Sequence, residues 1–177
     1  MPTYIQKLDK SDVSINTGNA TYLMSPGTGN TGTFSFSIAP GGPNEQVYFV
    51  TQQGQINSDS WESGGSMTIE VTRTAASNMR CRVRVGRVDS NGTLIQIGTF
   101  TAFQNLTGGT TKTFTATVPT WTSAQESCGN RLILQVQVGE TLSGGGATAT
   151  LQVGTTNSEV VSTITENNGN CRVINIA

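Results

Sequence analysis

The sequence predicts an all-β protein, an antiparallel β-sandwich of jelly-roll type with about nine to eleven strands. The first observation is that apolar or small residues alternate with polar ones along 79–85, 113–118, 132–138 and 147–153. Successive side chains of a strand point to opposite faces, so this alternation buries one face and leaves the other in water. The second observation is that no segment repeats apolar residues at helical spacing over three turns.

Each strand is predicted from alternation bounded by turn-forming residues. In chain order, the predicted strands cover 21–24, 33–38, 46–50, 66–71, 79–88, 94–97, 112–118, 132–138, 147–153 and 160–164, and 100–103 extends the sixth of them. Asn91-Gly92 predicts a hairpin between two of these strands, because this dipeptide adopts the tight turn that hairpins need. The glycine-rich segment 143–146 predicts a second hairpin, which joins 132–138 to 147–153.

The ends of the chain are predicted to differ from its middle. Residues 1–20 carry crowded charges and weak alternation, which indicates an extended N-terminal arm. Residues 21–166 form the predicted sandwich domain, and residues 167–177 form a C-terminal tail. The arm is open to two interpretations, a frayed terminus or a segment that docks on a neighbouring subunit.

Charge and hydropathy exclude several classes of function. Charged residues make up 12% of the chain and the formal net charge is -1, so nucleic acid is not an expected partner. No apolar run approaches the roughly 18 residues that a membrane helix needs, so no membrane association is expected. The first residues lack the charged start and apolar stretch of a signal peptide, which predicts a protein that is made and used from the cytosol outward.

The side chains that most enzymes and metal sites use are scarce. The chain has no histidine, so Ser-His-Asp and Cys-His catalysis and ordinary zinc sites are not expected. Cys81 is predicted to be a small buried residue, and pairing of Cys128 with Cys171 is left open. A composite calcium site and a glycosidase carboxylate pair remain remote alternatives, with the loop carboxylates Asp59, Glu62, Asp89 and Glu126 as the candidates for calcium. We therefore expect no enzyme activity, no cofactor and no metal.

Three arginines occupy one face of one predicted strand. Arg80, Arg82 and Arg84 recur at alternate positions, so their Cα atoms are expected about 6.5 to 7 Å apart. Aligned guanidiniums bind carboxylates or phosphates well. The alternatives are a solvated face paired with acidic residues such as Glu70 on a neighbouring strand, a subunit contact, or a nucleic-acid or anionic-glycan site.

Trp61 and Trp121 lie in polar segments that are predicted to be loops. Exposed aromatic rings in such loops stack on sugars, which would make the chain a glycan-binding module. The alternative is that each tryptophan plugs one end of the sandwich, with its N–H bonded to a loop carbonyl.

Three features of the sequence carry a resemblance to a known family. They are the pattern Arg80-x-Arg82-x-Arg84-x-Gly86, the strand 112–118 before a tryptophan-bearing loop, and the strand 131–138 before a glycine turn. Over about residues 66–165 the chain resembles the jelly-roll proteins of tailed bacteriophage virions, of the capsid decoration (cement) type. The resemblance implies a trimeric jelly roll that locks neighbouring subunits of a capsid.

The sequence thus predicts a non-enzymatic virion structural protein, most readily a bacteriophage capsid decoration protein. Its expected partners are the major capsid protein or other virion proteins and further copies of itself, with a trimer favoured. The expected contact residues are Tyr4, Ile5, Lys7, Arg80, Arg82, Arg84, Arg172 and Ile174. The alternative is a carbohydrate-binding or receptor-binding module of a phage tail or a secreted glycan-active protein, with a glycan bound by Trp61 and Trp121.

Overall fold

The computed structural model describes residues 3–12, 21–25, 32–51, 66–77, 79–89, 91–105, 111–117, 131–140, 147–153 and 159–163. Over these residues the chain is built of β-strands, and none of them belongs to a helix that is long and apolar enough to cross a bilayer. The strands are β1 (Thr3–Asp12), β2 (Thr21–Ser25), β3 (Gly32–Ile38), β4 (Glu45–Thr51), β5 (Ser66–Ser77), β6 (Met79–Val88), β7 (Leu94–Ile97), β8 (Gln104–Asn105), β9 (Thr111–Thr117), β10 (Arg131–Glu140), β11 (Ala147–Val153) and β12 (Glu159–Thr163).

The described strands form one hydrogen-bonded network. Its path runs β3-β11-β5-β12-β1-β2-β4-β10-β6-β7, while β8 pairs with β6 and β9 pairs with β5. The all-β prediction is therefore confirmed. The sheet is mixed and not purely antiparallel, because β2 and β4 run parallel. The jelly-roll sandwich is not confirmed, since these strands follow a single continuous path.

The two predicted hairpins have opposite outcomes. The hairpin at Asn91-Gly92 is confirmed: β6 pairs with β7, and Gly92 has a φ of 82°. The Asp89 carboxylate accepts hydrogen bonds from the amides of Asn91 and Thr93, at 2.9 and 2.8 Å, which closes this turn.

The hairpin predicted across 143–146 is wrong. Strand β10 pairs with β4 and β6, whereas β11 pairs with β3 and β5. The register between β10 and β6 runs unbroken from Arg131↔Val88 to Glu140↔Met79, so a long non-local ladder outweighs the local turn. Residues 141–146 themselves lie outside the described residues.

The predicted N-terminal arm is in large part a strand of the sheet. Thr3–Asp12 form β1, which pairs antiparallel with β12 on one side and with β2 on the other. Pairing on both sides satisfies backbone donors and acceptors even where side-chain alternation is weak. The predicted contact residues Tyr4, Ile5 and Lys7 are thus register partners of Ser162, Val161 and Glu159. The rest of the arm, 13–20, and the tail, 167–177, lie outside the described residues.

The core lies against one face of β4, β10 and β6. Alternate residues of these neighbouring strands are buried there, and β3 and β9 add further apolar side chains. Cys81 belongs to this face and is completely buried, which confirms its predicted place. The buried residues on this face are Val47, Phe49, Leu134, Val136, Val138, Cys81, Val83 and Val85, with Phe36 and Ile38 from β3 and Phe114 and Ala116 from β9.

Two glycines allow close approaches to paired strands. A Cβ at Gly86 would meet backbone of β7, the Gln96 carbonyl oxygen and the Ile97 Cα atom at 2.9 Å. A Cβ at Gly139 would instead meet the side-chain amide of Asn44, an exposed residue. Backbone cannot move without loss of the ladder, whereas an exposed side chain can.

We therefore expect Gly86→Ala to lower the free energy of unfolding by about 1–3 kcal/mol, the usual cost of overpacking. Gly139→Ala is the matched control and should cost less than about 1 kcal/mol, because Asn44 rotates away. Urea unfolding followed by circular dichroism measures both. Equal losses for the two variants would contradict the assignment of Gly86 as a backbone contact.

Candidate functional site

Strand β6 carries the candidate site on the face opposite the core. Because side chains alternate between the two faces, Arg80, Arg82 and Arg84 all lie on this second face and are half-buried. Strand β10 flanks them on one side, and β7 with β8 flanks them on the other. The predicted arginine row is therefore present, with a neighbour on each side.

Glutamine side chains of β10 hold two of the arginines in place. The register sets Gln135 opposite Arg84 and Gln137 opposite Arg82. Arg82 Nε donates a 2.8 Å hydrogen bond to Gln137 Oε1, and Arg84 Nε donates one of 2.5 Å to Gln135 Oε1. Gln135 is only 1% exposed and donates in turn to Gln46 Oε1 of β4. Each of these two guanidiniums is thus fixed through its Nε.

Arg80 has no such partner on β10, because the register sets Gly139 opposite it. Its Nε is buried, and among the described residues its N–H has no hydrogen-bond acceptor. The glutamine row therefore ends one position before the arginine row does.

The other flank of β6 is irregular, and this irregularity adds two aromatic rings to the site. From Gly86↔Ile97 to Cys81↔Gln104 the chain advances five residues on β6 but seven on its partner. The amide of Thr101 bonds to the Val83 carbonyl at 2.8 Å between these points. Extra residues on one strand are β-bulges, which redirect side chains.

The redirected rings are those of Phe100 and Phe103. The Cζ atom of Arg82 lies 4.1 Å from the Phe100 centroid and 4.3 Å from that of Phe103. Arg84 lies 4.1 Å from Phe100, and Arg80 lies 4.2 Å from Phe103. The order is Arg84, Phe100, Arg82, Phe103, Arg80, which we call the arginine–phenylalanine stack. Such contacts stabilise each cation by about 0.5–1 kcal/mol at exposed sites.

The stack concentrates positive charge without a described counter-ion. Four of the ten basic residues lie between positions 80 and 87. Glu70, the acidic partner considered from the sequence, belongs to β5, where it is the register partner of Thr113. Strand β5 is not a neighbour of β6, so this part of the prediction is wrong. Burial lowers the pKa of Arg82, and the charges of Arg80 and Arg84 lower it further.

Beyond Arg84 the same face becomes apolar. Tyr48, Val50, Val88 and Ile133 form a buried cluster, and Ile97 packs against it. Burial raises the pKa of the Tyr48 hydroxyl, while the nearby Arg84 opposes this rise. The cationic row is thus anchored at one end by a packed apolar patch.

An open groove of about 500 Å³ lies beside Phe100. Residues 96–101 form one wall, and Thr115 and Thr117 of β9 form the other. Gln104 Nε2 donates a 2.8 Å hydrogen bond to the Thr113 carbonyl and so links β8 to β9. The lining of the groove combines threonine hydroxyls with the apolar side chains of Ile97 and Phe100, and its apolar surface exceeds its polar surface.

The other predicted site residues do not join this site. Trp61, Trp121, Arg172 and Ile174 lie outside the described residues, and so do Cys128 and Cys171. Asp89, a calcium candidate, closes the β6–β7 turn, and Asp59, Glu62 and Glu126 are not described. Over the described ranges no group of three His, Cys, Asp or Glu residues is placed to hold a metal ion.

No protein-family model matches the sequence, and no curated protein matches it either. Among solved structures, one of infectious bursal disease virus strain Gt is 14% identical, with a TM-score of 0.44 over 95% of this chain and 37% of that chain. One of strain Gx is 12% identical, with a TM-score of 0.40 over 91% and 42%. A CocE/NonD family hydrolase from Staphylococcus aureus is 8% identical, with a TM-score of 0.44 over 90% and 37%. The chain spans less than half the length of these solved chains, and likeness at this level transfers no function.

A double-mutant cycle tests whether the stack is an energetic unit. Arg82→Met and Phe100→Leu each remove part of one cation–π contact, so their effects on the free energy of unfolding should not add. We expect a coupling of about 0.5–1 kcal/mol. The control cycle combines Phe100→Leu with Lys112→Met, a cation of β9 outside the stack, and should couple by less than about 0.3 kcal/mol. Equal coupling energies in the two cycles would contradict the interpretation of the stack as one energetic unit.

Proposed function

We propose that the chain is a non-enzymatic structural protein of a virion, and specifically a bacteriophage capsid decoration protein. The observation that carries the proposal is the arginine–phenylalanine stack, a half-buried cationic and aromatic surface on a rigid sheet. Arginine and aromatic residues are enriched where proteins bind proteins, and they dominate the binding energy there. The stack therefore supports a protein-contact role.

The chemistry of the described residues supports binding over catalysis. The chain has no histidine to act as a general base near neutral pH. Cys81 lies in the core, and burial raises the pKa of its thiol to about 12. Since the thiolate is the nucleophilic form, this cysteine is unreactive in the folded protein.

The stack is also prepared for binding before a partner arrives. Two guanidiniums are held at Nε by glutamines, and the two rings fix their planes. Side chains that are already ordered lose less entropy on association. Preorganisation of this kind supports an interface and is unnecessary for a surface that is only solvated.

The proposed partners are the major capsid protein or other virion proteins, and the proposed assembly is a trimer within the virion. Contact through a free N-terminal arm no longer forms part of the proposal, because Thr3–Asp12 pair on both sides within the sheet. The interface instead centres on Arg80, Arg82 and Arg84.

Binding to capsid shells that lack the protein tests this proposal. We expect the combined variant Arg80→Gln, Arg82→Gln, Arg84→Gln to bind at least about tenfold more weakly in co-sedimentation, since charged hydrogen bonds are lost. Lys112→Gln removes a charge elsewhere and should bind as the unchanged protein does. Circular dichroism checks that both variants fold, and light scattering is expected to show a trimer. Undiminished binding by the folded triple variant would contradict the proposal.

The groove beside Phe100 favours a second candidate, a carbohydrate-binding or receptor-binding module. Threonine hydroxyls and one aromatic ring are groups with which proteins orient sugars. On a glycan array we then expect retention that Thr115→Val weakens and that Trp61→Ala or Trp121→Ala abolishes, with Lys112→Gln as the control. An array without any retained glycan would rule this candidate out.

A further inference from the structure

We infer that the arginine–phenylalanine stack receives an extended acidic segment of another protein, in which carboxylates occur at every second residue. The inference rests on the proposed role of the stack as a protein contact and names the chemistry of its partner. Its basis is the geometry of the row and the donors that the row leaves open.

The spacing of the row is that of a β-strand. Arg80, Arg82 and Arg84 occupy alternate positions of β6, so their Cα atoms repeat at about 6.5 to 7 Å. An extended segment has the same repeat between its own alternate residues. Acidic residues at those positions would therefore meet one guanidinium each along the whole row.

The environment of each guanidinium restricts how it can bind. Phenyl rings cover both faces of Arg82, and its Nε is used by Gln137. The Nη groups of Arg82 make no hydrogen bond to any described residue. They lie in the plane of the guanidinium, so they can donate two parallel bonds to a carboxylate. Arg84 is also held at Nε, by Gln135, but it contacts one ring, Phe100, and makes a further side-chain hydrogen bond with the Tyr48 hydroxyl.

Strand β6 offers side chains and not a free backbone edge. It is paired with β10 on one side and with β7 and β8 on the other. A partner strand therefore cannot add to the sheet at β6, and it must be recognised by side chains across the face. Recognition of this kind depends on how the partner's charges are spaced.

A second copy of this chain does not supply such a segment. None of the eleven acidic residues stands two positions from another; the nearest pairs, Asp9 with Asp12 and Asp59 with Glu62, are three apart. These residues therefore contain no such segment, and the proposal assigns it to a different protein.

Nucleic acid is a weaker candidate than an acidic segment. The formal net charge of -1 gives the chain no general attraction for polyanions.

Two synthetic peptides of equal charge test the inference. In one, glutamate alternates with threonine; in the other, the same glutamates form one block. Fluorescence anisotropy at low salt, with the full chain, should show the alternating peptide binding about tenfold more tightly than the block. The preference should disappear in Arg82→Lys, which keeps the charge but lacks the planar fork, and it should persist in Lys112→Gln.

Equal binding of the two peptides would overturn the inference, because charge alone would then explain it. Tighter binding of single-stranded oligothymidylate than of the alternating peptide would overturn it in favour of nucleic acid. Failure of the acidic-segment inference can be distinguished from failure of the proposed decoration role, which the shell-binding experiment tests. Shell binding that needs the three arginines, together with no preference between peptides, would leave the decoration role intact and remove only the acidic segment.

Discussion

The register of β6 with its two neighbours is the constraint on which the site depends. On one side an unbroken ladder with β10 sets Gln135 and Gln137 opposite Arg84 and Arg82. On the other side the extra residues before β8 bring Phe100 and Phe103 onto the same face. A shift of one residue on the first side would exchange the faces and set apolar side chains against the arginines. Core and site are therefore determined by the same hydrogen bonds.

The local part of the fold is predictable from the sequence, and the choice of partners is not. Alternation located β6, β7 and β11 with their observed bounds, because burial of one face imposes a period of two. The Asn91-Gly92 hairpin is also local, since the turn itself dictates the pairing. By contrast, β10 and β11 are adjacent in sequence and pair elsewhere, and Thr3–Asp12 form an inner strand despite weak alternation. Such pairings depend on contacts distant in sequence, which no local pattern records.

The candidate site likewise has one part that the sequence predicts and one part that it does not. The arginine row follows from the period of one strand, so the sequence predicts it directly. The aromatic half does not follow, because Phe100 and Phe103 are three residues apart and a regular strand would set them on opposite faces. Only a bulge between them makes them neighbours, and the spacing Phe-x-x-Phe beside an arginine row is the one signal that could have indicated it. The sequence also shows that Gln135 and Gln137 alternate along β10, but it does not show that β10 pairs with β6.

The arrangement of charge supports the proposed binding role of the stack. Three like charges held within one row repel each other, and burial together with the charges of Arg80 and Arg84 lowers the pKa of Arg82. The rings and glutamines compensate in part, but they carry no negative charge. A chain selected for stability alone would place a carboxylate in this row, because an unneutralised cationic row lowers stability without any gain in the isolated molecule. Carboxylates supplied by a partner would satisfy the open donors and remove the repulsion together. An acidic partner surface of the kind inferred above would therefore be a more favourable environment for the stack than solvent is.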